Sequence, residues 1–176
     1  MSGTDNPFEI AVAAPSDAML CDAVLQASYE TLMAGAYDDD VLDAALPLMT
    51  RSNPRLLASS TYYLAKVPTG GVAGCGGWTL ERPGDGVIEP GLAHIRHFAV
   101  HPEWTRMGAG RALYEACAEA AREKDVRRFE CYASLNAVRF YGALGFKPVR
   151  EIAIPMSEDV VFPALVMEAR IWQLEA

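Results

Sequence analysis

Apolar residues along this chain alternate with polar ones, then fall into helical spacing, then alternate again, and each change of period marks an element. Phe8 to Ala14 alternates, with Phe8, Ile10 and Val12 on one side, and predicts a strand. Pro15-Ser16-Asp17 is a helix-start signal with Ser16 as N-cap. The helix runs to about Tyr29 or beyond and offers Met19, Val24, Leu25 and Leu32 to a core. Asp38, Asp39 and Asp40 form the acidic first turn of a second helix through Leu42 to Leu48, facing the positive end of its dipole. Leu56 to Val67 and Val72 to Leu80 read as strands joined by Pro68-Thr69-Gly70-Gly71, an antiparallel hairpin. Gly74, Gly76 and Gly77 within it predict a bulge or a close approach of backbone. Arg82 to Gly91, rich in proline and glycine, reads as a mobile loop.

The second half is organised around His94 to Leu113: a strand, a turn-rich connection through Pro102, Gly108 and Gly110, and an amphipathic helix. That helix sets Leu113, Ala116, Cys117, Ala120 and Ala121 opposite Glu115, Glu119, Arg122 and Glu123. Val126 to Ala133 is the next strand, so strand, crossover helix and strand predict a parallel unit. Asn136 to Leu144 is a short helix stopped by Gly145 at C′. Lys147 to Ile154 and Phe162 to Trp172 are two closing strands. With no repeat and no linker, the expected architecture is one mixed α/β domain over residues 1–176, its first few residues mobile.

Composition narrows the function classes. A chain of 176 residues, 51% hydrophobic and 22% charged, suits one soluble domain with a sizeable core. Its formal net charge of −8 and its lack of a basic run argue against nucleic acid or an anionic membrane as partner. Cys21, Cys75, Cys117 and Cys131 show no metal-ligand or redox spacing and read as reduced core thiols, with no metal site. No basic N-terminal region and no run of membrane-span length are seen, so a cytoplasmic protein is expected.

The glycines at 108 and 110 open a helix whose first N–H groups lack intrahelical acceptors, so Met107 to Arg111 form a backbone cradle for a phosphate or pyrophosphate. A P-loop needs Lys and then Ser or Thr after its last glycine, where Arg111 and Ala112 stand. A dinucleotide fingerprint needs a small residue at Leu113 and glycines directly after a strand; Glu130 mimics only its acidic member. With Phe140-Tyr141-Gly142-Ala143-Leu144-Gly145-Phe146 downstream, and Val100-His101-Pro102 upstream, the chain instead resembles the GNAT acetyltransferase superfamily. Thr105 stands where that family's loop has Arg or Gln, with Arg106 next to it. Ser134 stands where many relatives have Asn, with Asn136 two positions on.

The resemblance implies central strands that splay apart around acetyl-CoA as co-substrate. It implies a coenzyme site of Phe98, Ala99, Val100, Arg106, Met107, Gly108, Ala109, Gly110, Arg111, Ser134 and Asn136. Backbone N–H groups around Phe98 to Val100 would hold the thioester or pantetheine, and Tyr141 would protonate the departing thiolate. Direct transfer to a primary amine of a small molecule or protein follows, with Tyr29, Tyr37 and Asp38 to Asp40 along one wall of the acceptor cleft and the Arg82–Gly91 loop beside it. The proton acceptor is expected at His94, through water, since it occupies the place where several branches carry a catalytic glutamate. Strand alternation sends His97 to the opposite face unless a bulge intervenes. A catalytically inactive acyl-CoA-binding sensor or scaffold, as monomer or homodimer, is the alternative.

Overall fold

The computed structural model describes residues 6–171; the expected mobile start and the strand end at Trp172 lie outside them. Strands β1 (Glu9–Val12), β2 (Tyr62–Lys66), β3 (Val72–Thr79), β4 (Leu92–Val100), β5 (Arg128–Ser134), β6 (Lys147–Pro155) and β7 (Val161–Arg170) form one sheet in the order β1-β2-β3-β4-β5-β7-β6. Every neighbouring pair is antiparallel except β4 and β5. Helix α4 (Ala109–Arg122) makes the crossover between those two, as the strand-helix-strand pattern predicts. Helices α1 (Ala18–Leu32), α2 (Asp39–Met49), α3 (Pro54–Leu57) and α5 (Val138–Ala143) complete the mixed α/β domain.

A core lies on each face. Leu113, Cys117 and Ala121 of α4 pack with Trp78, Ile95, Phe129 and Met167. Val24 and Leu25 of α1 and Leu42 and Ala45 of α2 pack with Leu64, Cys75, Ala99 and Phe162 on the other side. The four cysteines are free and buried, two in each core.

Several expected boundaries move. A 3₁₀ turn at Pro15–Asp17 precedes α1, and Asp17, not Ser16, supplies the capping carboxylate, accepting the Ala14 N–H at 2.8 Å. The buried stripe of α1 runs Cys21, Val24, Leu25, Ser28, Tyr29 at the helical period. Met19 sits two residues from Cys21, on the far side of the helix, and is 84% exposed. Val12, the last residue of β1, is exposed as well, and Ala13 after it is buried. The strand expected from Leu56 begins only at Tyr62, since Asn53 accepts the Arg55 N–H at 2.9 Å and Pro54 opens α3.

The glycines of β3 are close approaches, as expected. A Cβ on Gly76 would lie 2.4 Å from the Phe98 ring, and one on Gly77 would lie 2.3 Å from the Thr61 carbonyl oxygen. A ring can shift, whereas a strand carbonyl in its ladder cannot do so cheaply. Gly77→Ala is therefore expected to destabilise the fold by about 1–3 kcal/mol. Gly142→Ala, on α5 with no atom within 4 Å of the new Cβ, is expected to stabilise it by about 0.5–1 kcal/mol. Urea unfolding of the two variants checks the opposite signs.

Candidate active site

Strands β4 and β5 pair only where Leu92, Ala93 and His94 face Arg128, Phe129 and Glu130. Beyond that, β5 stays paired with β7 to Ser134 while β4 leaves it, and the sheet splits. The expected splay is present, and a bulge accompanies it. Gly77 pairs with Arg96 and Cys75 with Ala99, so β4 uses three steps where β3 uses two. His97 takes up the extra residue at φ 53°. The exposed carbonyls of the bulge are held from α1 and β2: Tyr62 donates its hydroxyl to His97 O and Tyr29 donates its hydroxyl to Phe98 O, each at 2.8 Å.

The bulge also aims N–H groups. His101 N donates to Ala73 O at 2.8 Å across the β3 side, and Ala99 shares its parity along β4. Alternation therefore turns the Val100 N–H, and the Phe98 N–H next to the bulge, toward the split where β5 has withdrawn. Ala99 keeps its place in the cleft wall with its own N–H turned to β3, which removes it from the expected donors.

At the open end of the split lies the N-terminus of α4. Gly108 is its N-cap at φ 92°, a left-handed conformation suited to glycine, and Arg106 is also left-handed at φ 63°. The first intrahelical bond is Ala112 N to Gly108 O at 2.9 Å. Among the described residues, the six N–H groups from Arg106 to Arg111 find no acceptor. Such a run of converging donors fits a pyrophosphate. Thr105, standing where an Arg or Gln was expected, braces the loop by donating to Pro102 O at 3.0 Å.

A cleft of about 750 Å³ runs from this loop into the split. It is lined by Phe98, Ala99, Val100, Arg106, Gly108, Ala109, Gly110, Arg111, Ser134 and Asn136, so the structure brings these sequence-predicted residues together. Met107 is not in the lining; the residue is 51% exposed, and only its N–H belongs to the cradle. Leu32, expected in the core, lines this cleft instead and is 38% exposed. Arg139 is a lining cation that no sequence motif marked. Arg111 donates to Ala143 O at 3.3 Å and so ties α4 to the end of α5. Gly110 also has a packing reason to be small: a Cβ there would lie 2.6 Å from the Phe140 ring, so its absence makes room for α5.

A second cavity of about 380 Å³ opens on the other side of the split, and it shares Tyr29, Phe98, Ser134, Ala137 and Tyr141 with the first. Tyr141 thus stands at the junction. Burial, with Cys131, Tyr29 and Cys117 nearby, holds its phenol well above the ordinary range, so it keeps its proton. Its hydroxyl takes no hydrogen-bond partner among the described residues, unlike those of Tyr29, Tyr37 and Tyr62. The Arg82–Gly91 loop reaches the second cavity through Pro83. Tyr37 lines neither cavity: it donates to Pro163 O at 2.7 Å, accepts the Leu135 N–H at 2.8 Å and stacks on Phe162. Asp38 to Asp40 also lie away from both, at the start of α2.

The histidines exchange the places expected of them. His94 lines neither cavity; it is 2% exposed, its Nδ1 has no hydrogen-bond partner and lies 3.7 Å from Glu130 Oε1. Burial, then Arg82 and Arg96, push its pKa down, which leaves a neutral ring packed inside the sheet. His97, turned by the bulge, lines the second cavity. Its Nε2 lies 2.7 Å from Met49 O. A carbonyl only accepts, so Nε2 carries the proton and Nδ1 holds the free lone pair. Burial lowers the His97 pKa while the Met49 carbonyl draws it back up, with the net shift downward.

The model of the acetyltransferase (GNAT) family matches residues 24–146. The fold is similar to that of a GCN5-related N-acetyltransferase from Rhodopseudomonas palustris, with TM-score 0.73, 18% identity, and coverage of 93% of this chain and 95% of that one. It is also similar to the PaiA N-acetyltransferase from Thermoplasma acidophilum, solved in complex with coenzyme A, with TM-score 0.69, 18% identity and coverage of 93% and 98%. A GCN5-related N-acetyltransferase from Kribbella flavida gives TM-score 0.59 at 23% identity, covering 93% and 98%.

If Gly110 is required by Phe140, the fault of Gly110→Ala lies in a displaced ring at the cleft wall. The variant is expected to bind coenzyme A about tenfold more weakly, and adding Phe140→Leu is expected to recover most of the loss. Calorimetric titration of wild type, single and double variants checks this; a double variant no better than Gly110→Ala contradicts it.

Proposed function

Since the chain belongs to the acetyltransferase (GNAT) family, we propose that it moves an acetyl group from acetyl-CoA directly to the nitrogen of an amine. One observation carries the reading: a cleft that begins in six unpartnered N–H groups and a smaller cavity meet at Tyr141 and at the bulged strand. The coenzyme supplies the acetyl group as an activated thioester. The chain supplies the rest of the chemistry.

The cradle from Arg106 to Arg111 takes the pyrophosphate, with Arg139 and Arg106 adding charge at the mouth. The N–H groups of Phe98 and Val100, on the edge that β5 leaves unpaired, hold carbonyl oxygen where negative charge develops during transfer. Tyr29 and Tyr62 keep those donors aimed by holding the carbonyls of the bulge. In the second cavity His97 presents a neutral Nδ1. An alkylammonium has a pKa of about 10.4, so at neutral pH its proton must be accepted before the nitrogen lone pair is free. His97 accepts it, directly or through one water. As the new N–C bond forms and the C–S bond breaks, Tyr141 gives its proton to the departing sulfur, and the second proton that the nitrogen sheds on becoming an amide restores it through solvent. The balance is one thiol, one amide and one proton released for each ammonium consumed.

Tyr141→Phe keeps the ring and removes the proton, so kcat is expected to fall roughly 10²-fold with coenzyme A affinity within about twofold of wild type. Stopped-flow thiol release and calorimetry read the two quantities. Unchanged kcat when chemistry limits the rate contradicts the acid role, and coenzyme A binding without thiol release across a broad amine panel contradicts the enzyme.

The pH dependence separates the histidines. The lowered pKa of His97 keeps it an acceptor at neutral pH, and activity falls as pH drops through that value. His97→Ala is expected to lose most activity near neutral pH and less in alkaline buffer, where more acceptor amine is already neutral. His94→Ala, in contrast, opens a cavity in the sheet, and its expected effect is on unfolding, with no change in the shape of the pH profile. A reversed pattern in the two pH profiles returns the proton acceptor to His94.

A further inference from the structure

The charge of the smaller cavity runs against that of the chain. The whole sequence carries a formal net charge of −8, yet Arg51 and Arg96, with His97, are the ionisable basic side chains in the cavity wall, and no Asp, Glu or Lys is among its lining residues. Arg51 is exposed, whereas Arg96 is half-buried on β4, immediately before the bulge at His97.

Arg96 is incompletely satisfied. Its Nη1 donates to Thr79 Oγ1 at 3.1 Å, and a guanidinium has five N–H donors. No ion pair among the described residues includes it; exposed Glu81 acts on it only from farther away, and burial is the larger influence, pushing its pKa down. The neighbouring arginines differ. Arg82 is paired with Asp85, and Arg128 with Glu168 at 2.7 Å. A partly buried cation without a counter-ion is unfavourable on its own, and the open side of Arg96 is the cavity. The rest of the wall is mixed: Asn53, Tyr132 and Ser134 are polar, and Met33, Met49 and Phe162 offer apolar surface.

We propose that the amine acceptor is a small amino carboxylate with an apolar body, its carboxylate held by Arg96. This rests on the acetyl-transfer reading above. A guanidinium fork matches a carboxylate with two parallel N–H···O bonds. The methionines and Phe162 take the apolar body, and a cavity of about 380 Å³ is at the small end of ligand sites. With the carboxylate on Arg96, the amino group of the same molecule lies toward His97 and Phe98, the next residues of β4. A polyamine or aminoglycoside brings further ammonium groups into a wall whose charged residues are arginines and is disfavoured by their repulsion. The transfer is the one already balanced: the acceptor nitrogen gains the acetyl carbon, the coenzyme leaves as thiol, and the carboxylate is unchanged.

The experiment compares thiol release from acetyl-CoA with leucine, methionine and phenylalanine against their amides and spermidine, in wild type and Arg96→Met. Binding of N-acetylleucine to each protein in the presence of coenzyme A is measured by calorimetry. Methionine fills the space of the arginine stem, and retained coenzyme A affinity shows that the variant folds. In wild type the carboxylate form is expected to have a KM roughly 10- to 100-fold below that of its amide, in Arg96→Met the ratio is expected to collapse toward one, and N-acetylleucine is expected to bind correspondingly more weakly. Amides or spermidine used as well as the amino acids, or a preference that survives Arg96→Met, overturn the acceptor class and leave acetyl transfer standing. If no acceptor releases thiol although coenzyme A binds, the acetyl-transfer reading fails, and N-acetylleucine still decides the ligand: binding lost in Arg96→Met supports the anion site, and binding absent or unchanged overturns it.

Discussion

A parallel pair of strands that pairs for three residues and then separates is the constraint on which the rest of this molecule depends. Backbone donors and acceptors inside a protein are almost always paired, so a sheet does not split without partners for the groups it releases. β5 is held in the sheet by β7, which pairs with its opposite edge along its whole length, while the edge that faced β4 lines the split. The β4 side is satisfied in part by side chains: Tyr29 and Tyr62 donate to the carbonyls of Phe98 and His97. The N–H groups of that edge, and those of the loop from Arg106 to Arg111, have no such partner among the described residues. In an acidic chain, free donors of this kind suit a ligand rich in oxygen acceptors.

Buried tyrosines then divide the labour by what their hydroxyls touch. Tyr29, Tyr37 and Tyr62 each donate to a main-chain carbonyl and so fix the frame: the bulge in two cases, the start of β7 in the third. Tyr141 is buried like them and its pKa is likewise pushed upward, but it has no such acceptor, and it stands where two cavities share a wall. Tyr141 differs from the three framing tyrosines in hydrogen bonding, not in exposure. A similar contrast separates Arg96 from Arg82 and Arg128, which are matched by carboxylates of the chain.

The cradle, the parallel unit, the closing hairpin and Tyr141 were legible in the sequence because each rests on local signals: glycines before a helix, alternation, and the Phe140–Phe146 run. What was not legible depends on tertiary geometry. A period-2 pattern carries no mark for a bulge, so His94 and His97 were set on faces that the left-handed His97 rearranges. Gly110 reads the same whether its missing Cβ faces a phosphate or Phe140, and only the packed structure distinguishes them. The capping pair Asn53 and Pro54 was present in the sequence and outweighed by the apolar run that follows it. Arg96, a single arginine in an apolar strand, becomes informative only once its surroundings show which carboxylates are absent.

Amide hydrogen exchange with and without coenzyme A tests the central claim most directly, since that claim concerns individual N–H groups. The account predicts that protection on binding is concentrated at Arg106 to Arg111 and at Phe98 and Val100, with little change in the β2–β3 turn from Pro68 to Gly71. Binding that protects other segments and leaves the Arg106–Arg111 amides exchanging as freely as before would contradict it.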